Sequence, residues 1–223
     1  SAGWLTPHYD VILPDVPGFG DTARDESLNY GIGDQVERLH AFLQALGIER
    51  FHLGGNSMGG HIAAAYALRY PERIEKLLLL NAAGLRVDEP VPYSPMTDED
   101  RVENEADFDA QLAKNFVQVP TVPGPFKTRF IERAQNNFDW LNRLRTEIRE
   151  GTDYILNDRA PQISAPTLIL WGDSDQVVRP AHATAWQRLL PDTRLVMMKA
   201  MGHSPQYERP EETARHILEF LEP

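Results

Sequence analysis

The chain is 223 residues long and carries 22 basic against 33 acidic side chains, a formal net charge of −11. A chain of this length predicts one globular domain with a buried core, and its acidic balance argues against sequence-independent nucleic-acid binding. Because it contains no cysteine, disulfides, thiolate metal sites, iron–sulfur clusters and cysteine nucleophiles are excluded.

The first third of the chain predicts a strand, a helix and a second strand. A buried strand is expected over residues 9–14, and the turn-rich residues 15–20 end it. The helix that follows has one apolar face and ends before Gly47. Residues 51–53 form a short strand that leads straight into a glycine-rich turn over residues 54–60.

The rest of the chain continues this alternation, except for one long interruption. The remaining predicted elements are helix 62–68, strand 76–81, strand 167–171, helix 181–190, strand 194–198 and a last helix that begins at Pro210. Strand 76–81 is continuously apolar, as expected when helices cover both faces of a sheet. The pattern therefore predicts an α/β fold, with a mostly parallel sheet and helices on both faces.

The interruption spans residues 86–164 and is predicted to be a helical lid between two parts of the core, residues 1–85 and 165–223. Residues 126–150 have apolar positions at intervals of three and four, which predicts a long amphipathic helix. Inserted at this place, the helix is expected to overhang the carboxyl ends of the strands, where α/β sheets bind ligands. Its inner face, including Phe130, Phe138 and Leu141, is expected to line a ligand pocket; the alternative is that these residues pack only against each other.

A nucleophile is predicted at the turn between strand 51–53 and the next helix. Residues 55–59 read Gly-Asn-Ser-Met-Gly, the G-x-S-x-G pattern that holds a serine hydroxyl above a sheet. Ser57 is the predicted nucleophile, and the Met58 N–H at the start of the helix is the predicted oxyanion donor. The alternative is a glycine-rich turn that contains an incidental serine.

A base for Ser57 must come from one of seven histidines. His203 is the predicted base, because its loop directly follows the last strand and reaches over the carboxyl end of the sheet. His61 is four residues beyond Ser57 but is expected to point back into the fold. His52, in the strand before the turn, is more simply explained as a structural residue.

The acid is expected in the loop after strand 167–171, which offers Asp173 and Asp175. Asp175 lies further into the loop and is better placed to face His203, whereas Asp173 is expected to shape the turn. The resulting order of nucleophile, acid and base is Ser57, Asp175 and His203, the order found in α/β-hydrolases.

These motifs resemble a serine α/β-hydrolase, and the resemblance covers nearly the whole chain. The matching blocks are residues 15–20 (DVPGFG), 55–60 (GNSMGG), 171–175 (WGDSD) and 202–203 (GH). Within the family, residues 81–85 (NAAGL) and 135–138 (QNNF) resemble bacterial lipases and esterases related to mammalian monoacylglycerol lipase. The resemblance implies the α/β-hydrolase fold, with its helical lid, and a serine esterase that needs no metal or organic cofactor.

Part of the family pattern is missing from this sequence. The family takes a second oxyanion donor from a His-Gly loop after its third strand, and no His-Gly pair occurs in the chain. Without that strand, residues 11–13 and 51–53 would lose their shared neighbour and leave backbone groups unpaired. We therefore expect the two segments to pair directly, or a partner chain or a segment before Ser1 to complete the sheet.

The predicted function is hydrolysis of carboxylic esters, such as acylglycerols, through an acyl-enzyme. Candidate pocket residues are Asn56, Phe138, Leu141 and Val177. One alternative is a carbon–carbon bond hydrolase of ring-cleavage products, whose motif is also Gly-Asn-Ser-Met-Gly-Gly, although Ser204 replaces the expected tryptophan after the histidine. The other is an impaired fragment that binds a small ligand. A cytoplasmic location is favoured, although a preceding segment could carry a signal or anchor.

Overall fold

The computed structural model describes residues 2–87 and 96–222. Within those ranges one sheet has the strand order β1-β2-β3-β4, formed by β1 Phe51–Asn56, β2 Ile74–Leu80, β3 Thr167–Gly172 and β4 Thr193–Met198. The α-helices described there are α1 Ala2–Leu5, α2 Ile32–Ala45, α3 Met58–Arg69, α4 Glu105–Asn115, α5 Gly124–Glu150, α6 Ala181–Leu189, α7 Pro205–Glu208 and α8 Pro210–Leu221. None of these helices combines the length and the hydropathy that crossing a membrane requires.

The sheet is parallel at each of its three strand pairings, which confirms the predicted parallel arrangement. Because neighbouring strands run in the same direction, β1, β2 and β3 all end at one edge of the sheet. Asn56, Leu80 and Gly172 are the last residues of these strands. The loops that follow them therefore meet at this edge, where the candidate site is found.

The apolar run of β2 is buried because both faces of the sheet are covered. Leu77 and Leu79 belong to the larger hydrophobic cluster, in which α3 and α6 pack. Leu78 and Leu80 point the other way, into a smaller cluster completed by α8. Alternating residues of a strand face opposite sides, so a strand covered on both sides is continuously apolar.

The predicted strand over residues 9–14 is wrong, because these residues have no strand conformation in the structure. The side chains of Ile12 and Leu13 are 45% and 75% exposed, and β1 pairs only with β2 among the described residues. The direct pairing expected between residues 11–13 and 51–53 is likewise absent. A groove of about 900 Å³ separates the two segments, and a strand cannot form its ladder without a neighbour.

The insertion contains the predicted long helix, which the structure confirms as α5 and which begins at Gly124. This helix lies against the loop that precedes α2. The Trp140 indole N–H donates to the carbonyl of Gly18 at 2.7 Å, and the Glu147 carboxylate accepts from the Tyr30 N–H at 2.8 Å. Residues 88–95 of the predicted lid lie outside the described residues.

Candidate active site

Ser57 lies on a sharp turn between the last residue of β1 and the first residue of α3. Its φ of 55° is in the left-handed region, which residues with a side chain rarely adopt, and such strain is typical of functional sites. The turn is closed by Gly55, where a Cβ atom would lie 2.2 Å from the carbonyl carbon of Gly59. Gly55 is therefore required by a close backbone approach, whereas a Cβ atom at Gly59 would meet no atom within 4 Å among the described residues.

Hydrogen bonds fix this turn to the end of β2. The Ser57 N–H donates to the carbonyl of Leu80 at 3.0 Å, and the Ser57 carbonyl accepts from Ala83 at 3.1 Å. Met58 is the first residue of α3, and the first four N–H groups of a helix have no partner within it. The positive end of the helix dipole is therefore at the serine.

The structure brings His203 and Asp175 together from loops that follow different strands. The His203 Nδ1 atom lies 2.8 Å from the Asp175 Oδ2 atom, and the two residues are 5% and 3% exposed. The other carboxylate oxygen, Oδ1, accepts from the N–H groups of Val177 at 2.7 Å and Val178 at 3.0 Å. This pair is buried and hydrogen-bonded, as a buried charge requires.

Asp173, the other candidate acid, is not bonded to the imidazole. It is exposed, and its carboxylate accepts a hydrogen bond from the hydroxyl of the adjacent Ser174 at 2.8 Å. The two acids of this loop therefore have different surroundings, and the one that contacts His203 is Asp175.

Asn56 connects the serine turn to the histidine loop. Its side-chain amide donates to the carbonyl of His203 at 2.9 Å and to that of Leu80 at 3.2 Å, while its oxygen accepts from Gln206 at 3.2 Å. Asn56 was predicted as a pocket residue, but these contacts are with the protein itself. These hydrogen bonds hold Asn56, the residue before Ser57, against the backbone of His203.

The other predicted pocket residues are spread over the insertion and the acid loop. Phe138 is 7% exposed and lies under the guanidinium of Arg101, 3.8 Å from the ring centre. It lines a cavity of about 180 Å³ formed by residues of the insertion alone. Leu141 is half-buried on the same helix, Phe130 is 52% exposed, and Val177 is 45% exposed beside Asp175.

The insertion also touches the loop that carries His203. The His203 N–H donates to the carbonyl of Asn115, the last residue of α4, at 2.8 Å. The Glu208 carboxylate accepts from the N–H groups of Gln118 at 2.8 Å and Gly202 at 3.1 Å. The sequence analysis missed Glu208, since nothing in its local pattern indicates these distant backbone partners.

Asn81 is a second residue, after Glu208, whose contacts could not be predicted from the sequence. It follows the last residue of β2, and its side-chain amide donates to Asp175 Oδ2 at 2.6 Å. The sequence indicates that Asn81 ends a strand and begins the NAAGL block, but it indicates no partner for the Asn81 side chain. Asparagine also tolerates a positive φ, and its φ here is 45°.

His61 and His52 have partners other than Asp175 and His203, the candidate acid–base pair. His61 points into the fold as predicted: it is fully buried, and its Nε2 atom lies 2.7 Å from the carbonyl oxygen of Asp153. Burial lowers the pKa of His61 to about 4. Burial also lowers the pKa of His52, which lies 3.7 Å from Glu75.

Comparison with curated proteins finds relatives that are lipases. Lipase 3 of Moraxella sp. (strain TA144) is 33% identical over 222 residues, which cover 95% of this chain and 69% of the relative. Monoacylglycerol lipase ABHD6 of Mus musculus is 30% identical over 239 residues, which cover 98% of this chain and 69% of that protein. These two names match the subgroup that the sequence motifs resemble.

Solved structures with the same architecture include two kinds of hydrolase. A membrane phospholipase A, described as a bacterial virulence factor, is 39% identical, with a TM-score of 0.84, 93% of this chain covered and 68% of its own. A variant of a meta-cleavage product hydrolase is 28% identical, with a TM-score of 0.82, 98% of this chain covered and 82% of its own. The family model for the alpha/beta hydrolase fold matches residues 4–210. The chain therefore belongs to the α/β-hydrolase family.

Proposed function

We propose that the protein is a serine hydrolase that cleaves carboxylic esters through an acyl-enzyme. The observation that carries this proposal is the contact of 2.8 Å between His203 and Asp175, anchored by Asn56 to the turn that presents Ser57. A buried carboxylate beside one nitrogen of an imidazole leaves the other nitrogen free to accept a proton. That arrangement serves a nucleophile–base–acid triad.

In the proposed reaction, the Ser57 hydroxyl oxygen attacks the ester carbonyl while His203 accepts the hydroxyl proton. Asp175 holds the imidazole in the required tautomer and stabilises its positive charge. The Met58 N–H donates to the oxyanion of the tetrahedral intermediate. Collapse of this intermediate expels the alcohol, which takes the proton from His203. A water molecule then attacks the acyl-enzyme with the same proton transfers, releasing the carboxylic acid and restoring Ser57.

The proposed substrate class is acyl esters of glycerol or of similar alcohols. The relatives named lipase and monoacylglycerol lipase support this choice. We assign to the apolar side of α5, with Phe138 and Leu141, the role of binding the acyl chain. The insertion would then act as a lid over the site. Two contacts of the insertion support the assignment: Asn115 accepts from the His203 N–H, and the Gln118 N–H donates to Glu208, whose carboxylate also bonds to the histidine loop.

A strand from outside these 223 residues is proposed to complete the sheet beside β1. The groove there is bordered by β1 on one side and residues 10–17 on the other, and it exposes apolar side chains such as Ile12 and Phe42. An added strand would pair with the edge of β1 that has no strand neighbour among the described residues, and it could supply the second oxyanion donor. Its source is either a preceding segment or a partner chain, and native mass spectrometry distinguishes the two.

A second candidate reaction is hydrolysis of a carbon–carbon bond. It is favoured by the similarity to the meta-cleavage product hydrolase, at 28% identity and a TM-score of 0.82. The same triad would act on a vinylogous diketone acid. Substrate comparison separates the two candidates, because only an esterase would turn over a p-nitrophenyl acyl ester series faster than the diketone acid.

Labelling with a fluorophosphonate probe tests whether the site is a working serine hydrolase. We expect one adduct on the protein and none on Ser57→Ala. A chain that stays unlabelled would overturn the proposal in favour of an inactive, ligand-binding α/β-hydrolase. Labelling that persists in Ser57→Ala would place the nucleophile elsewhere.

A further inference from the structure

The surroundings of Asn81 indicate that its side chain supports the side chain of another residue. It is fully buried, follows the last residue of β2 and has a φ of 45°. Its own N–H continues the sheet by donating to the carbonyl of Leu170 at 3.0 Å. The backbone therefore turns away from the strand at Asn81. The Asn81 side chain lies at the edge of the sheet where Asp175 is found.

The Asn81 amide reaches both loops of the acid–base pair. The Nδ2 atom lies 2.6 Å from Asp175 Oδ2 and 3.4 Å from the carbonyl oxygen of Gly202, the residue before His203. The same Oδ2 atom contacts His203 Nδ1 at 2.8 Å. One carboxylate oxygen thus receives two side-chain donors, one neutral and one that belongs to the imidazole.

The orientation of the Asn81 amide follows from its neighbours. An amide turned the other way would place its oxygen against the oxygens of Asp175 and Gly202, which both repel it. In the observed orientation, the Asn81 Oδ1 atom is buried without a hydrogen-bond partner among the described residues. Burying an oxygen without a hydrogen-bond partner costs free energy. The Asn81 amide therefore keeps its bond to Asp175 although its own oxygen has no partner.

We propose that Asn81 is a positioning residue that holds the Asp175 carboxylate in the rotation required by His203. Val177 and Val178 fix the Oδ1 atom, and Asn81 occupies one side of Oδ2, which leaves the remaining acceptor site facing the imidazole. Because the amide is neutral, it orients the carboxylate without cancelling the charge that stabilises the imidazolium. This inference rests on the proposed function, in which Asp175 supports His203.

Two substitutions separate this role from a purely structural one. Asn81→Gly keeps the left-handed turn, since glycine adopts positive φ freely, but removes the donor. Loss of one hydrogen bond to a charged group predicts that kcat falls roughly tenfold to a hundredfold. KM should change by less than about twofold, because the lost contact acts on the acid–base pair rather than on substrate binding.

Asn81→Asp keeps the size of the side chain and places a second carboxylate 2.6 Å from the position of Asp175 Oδ2. Two carboxylate oxygens this close share one proton, so the imidazole would titrate together with a carboxylate pair instead of beside one fixed charge. The acid limb of the rate profile should therefore move by about half a pH unit or more. Asn157→Asp is the matched control, because that half-buried amide bonds to the backbone of Arg86. The control should leave the acid limb in place.

Titration of the His203 imidazole by NMR makes the result independent of turnover. We expect its midpoint to shift in Asn81→Asp and to stay in place in Asn157→Asp. An unchanged midpoint, together with a kcat for Asn81→Gly within about twofold of the parent, would overturn the positioning role. If the protein hydrolyses no ester but the midpoint still shifts, the proposed function fails and the contact between Asn81 and the acid–base pair stands. If Asn81→Gly does not fold, Asn81→Ala, which also removes the donor, takes its place in the measurement of kcat.

Discussion

Replacing Asp175 by asparagine is the sharpest perturbation of the candidate site. The carboxylate faces four donors: the backbone N–H groups of Val177 and Val178, the amide of Asn81 and the imidazole of His203. An asparagine keeps one oxygen and exchanges the other for an NH₂ group, which only donates. If the oxygen stays on the backbone donors, the NH₂ group faces Asn81 and His203 directly.

The size of the effect follows from this mismatch. His203 would have to turn its unprotonated nitrogen toward the NH₂ group, and its other nitrogen, now carrying the proton, could not accept one from Ser57. In the serine protease template the same change lowers kcat by about 10⁴, which corresponds to roughly 5 kcal/mol of transition-state stabilisation. Loss of a hydrogen bond to a charged group should also lower the free energy of unfolding by roughly 1.5–3 kcal/mol.

Turnover of a p-nitrophenyl ester measures the first effect, and denaturant unfolding measures the second. Asp173→Asn is the matched control, because it removes the same charge from an exposed carboxylate bonded to Ser174. We expect Asp175→Asn to remove most turnover, with a loss no greater than that of Ser57→Ala or His203→Ala, and Asp173→Asn to stay within about twofold. Near-normal turnover in Asp175→Asn, with loss in Asp173→Asn, would refute the assignment of the acid.

Three further predictions concern pH and the insertion. Ester turnover should rise with pH as His203 loses its proton, since only neutral imidazole accepts one from serine, and a flat profile between about pH 5 and 8 would contradict a histidine base. Phe138→Ala should change the preference among acyl chain lengths more than it changes thermal stability, whereas an equal loss for every chain length would make this side chain a packing residue. The pKa of His61, lowered to about 4, lies below the value of about 6.5 in an unfolded chain, so the unfolded state binds more protons as the pH falls. The free energy of unfolding should therefore fall by about 3 kcal/mol between pH 6.5 and 4, and His61→Gln should remove most of this slope in denaturant titrations.

Structural features that depend on residues close together in the sequence could be predicted. The glycines around Ser57 predict a tight turn, and the structure confirms the close approach at Gly55 but leaves open space for a side chain at Gly59. The apolar runs predicted β2 and β3, and the three- and four-residue spacing predicted α5. The order of the loops along the chain was enough to nominate Asp175 and His203, since parallel strands bring their carboxyl ends together.

Features that depend on distant partners escaped the sequence analysis. The predicted strand over residues 9–14 has the composition of a strand but pairs with no strand in the described part of the chain, and a strand forms by backbone pairing. Asn81 is 94 residues from Asp175, and Glu208 is 90 residues from Gln118. Single-sequence patterns carry no information about such pairs. The roles of Phe138 and Leu141 depend on where the insertion lies, which helical periodicity does not define.

The central claim is that Ser57 forms a covalent acyl-enzyme, and trapping that intermediate tests it most directly. The reaction with a p-nitrophenyl acyl ester would be stopped in acid, followed by intact-mass measurement and peptide mapping. We predict a mass increase equal to one acyl group, located on the peptide that contains Ser57 and absent from Ser57→Ala. An acyl group on another residue, or steady ester hydrolysis by Ser57→Ala, would contradict the account.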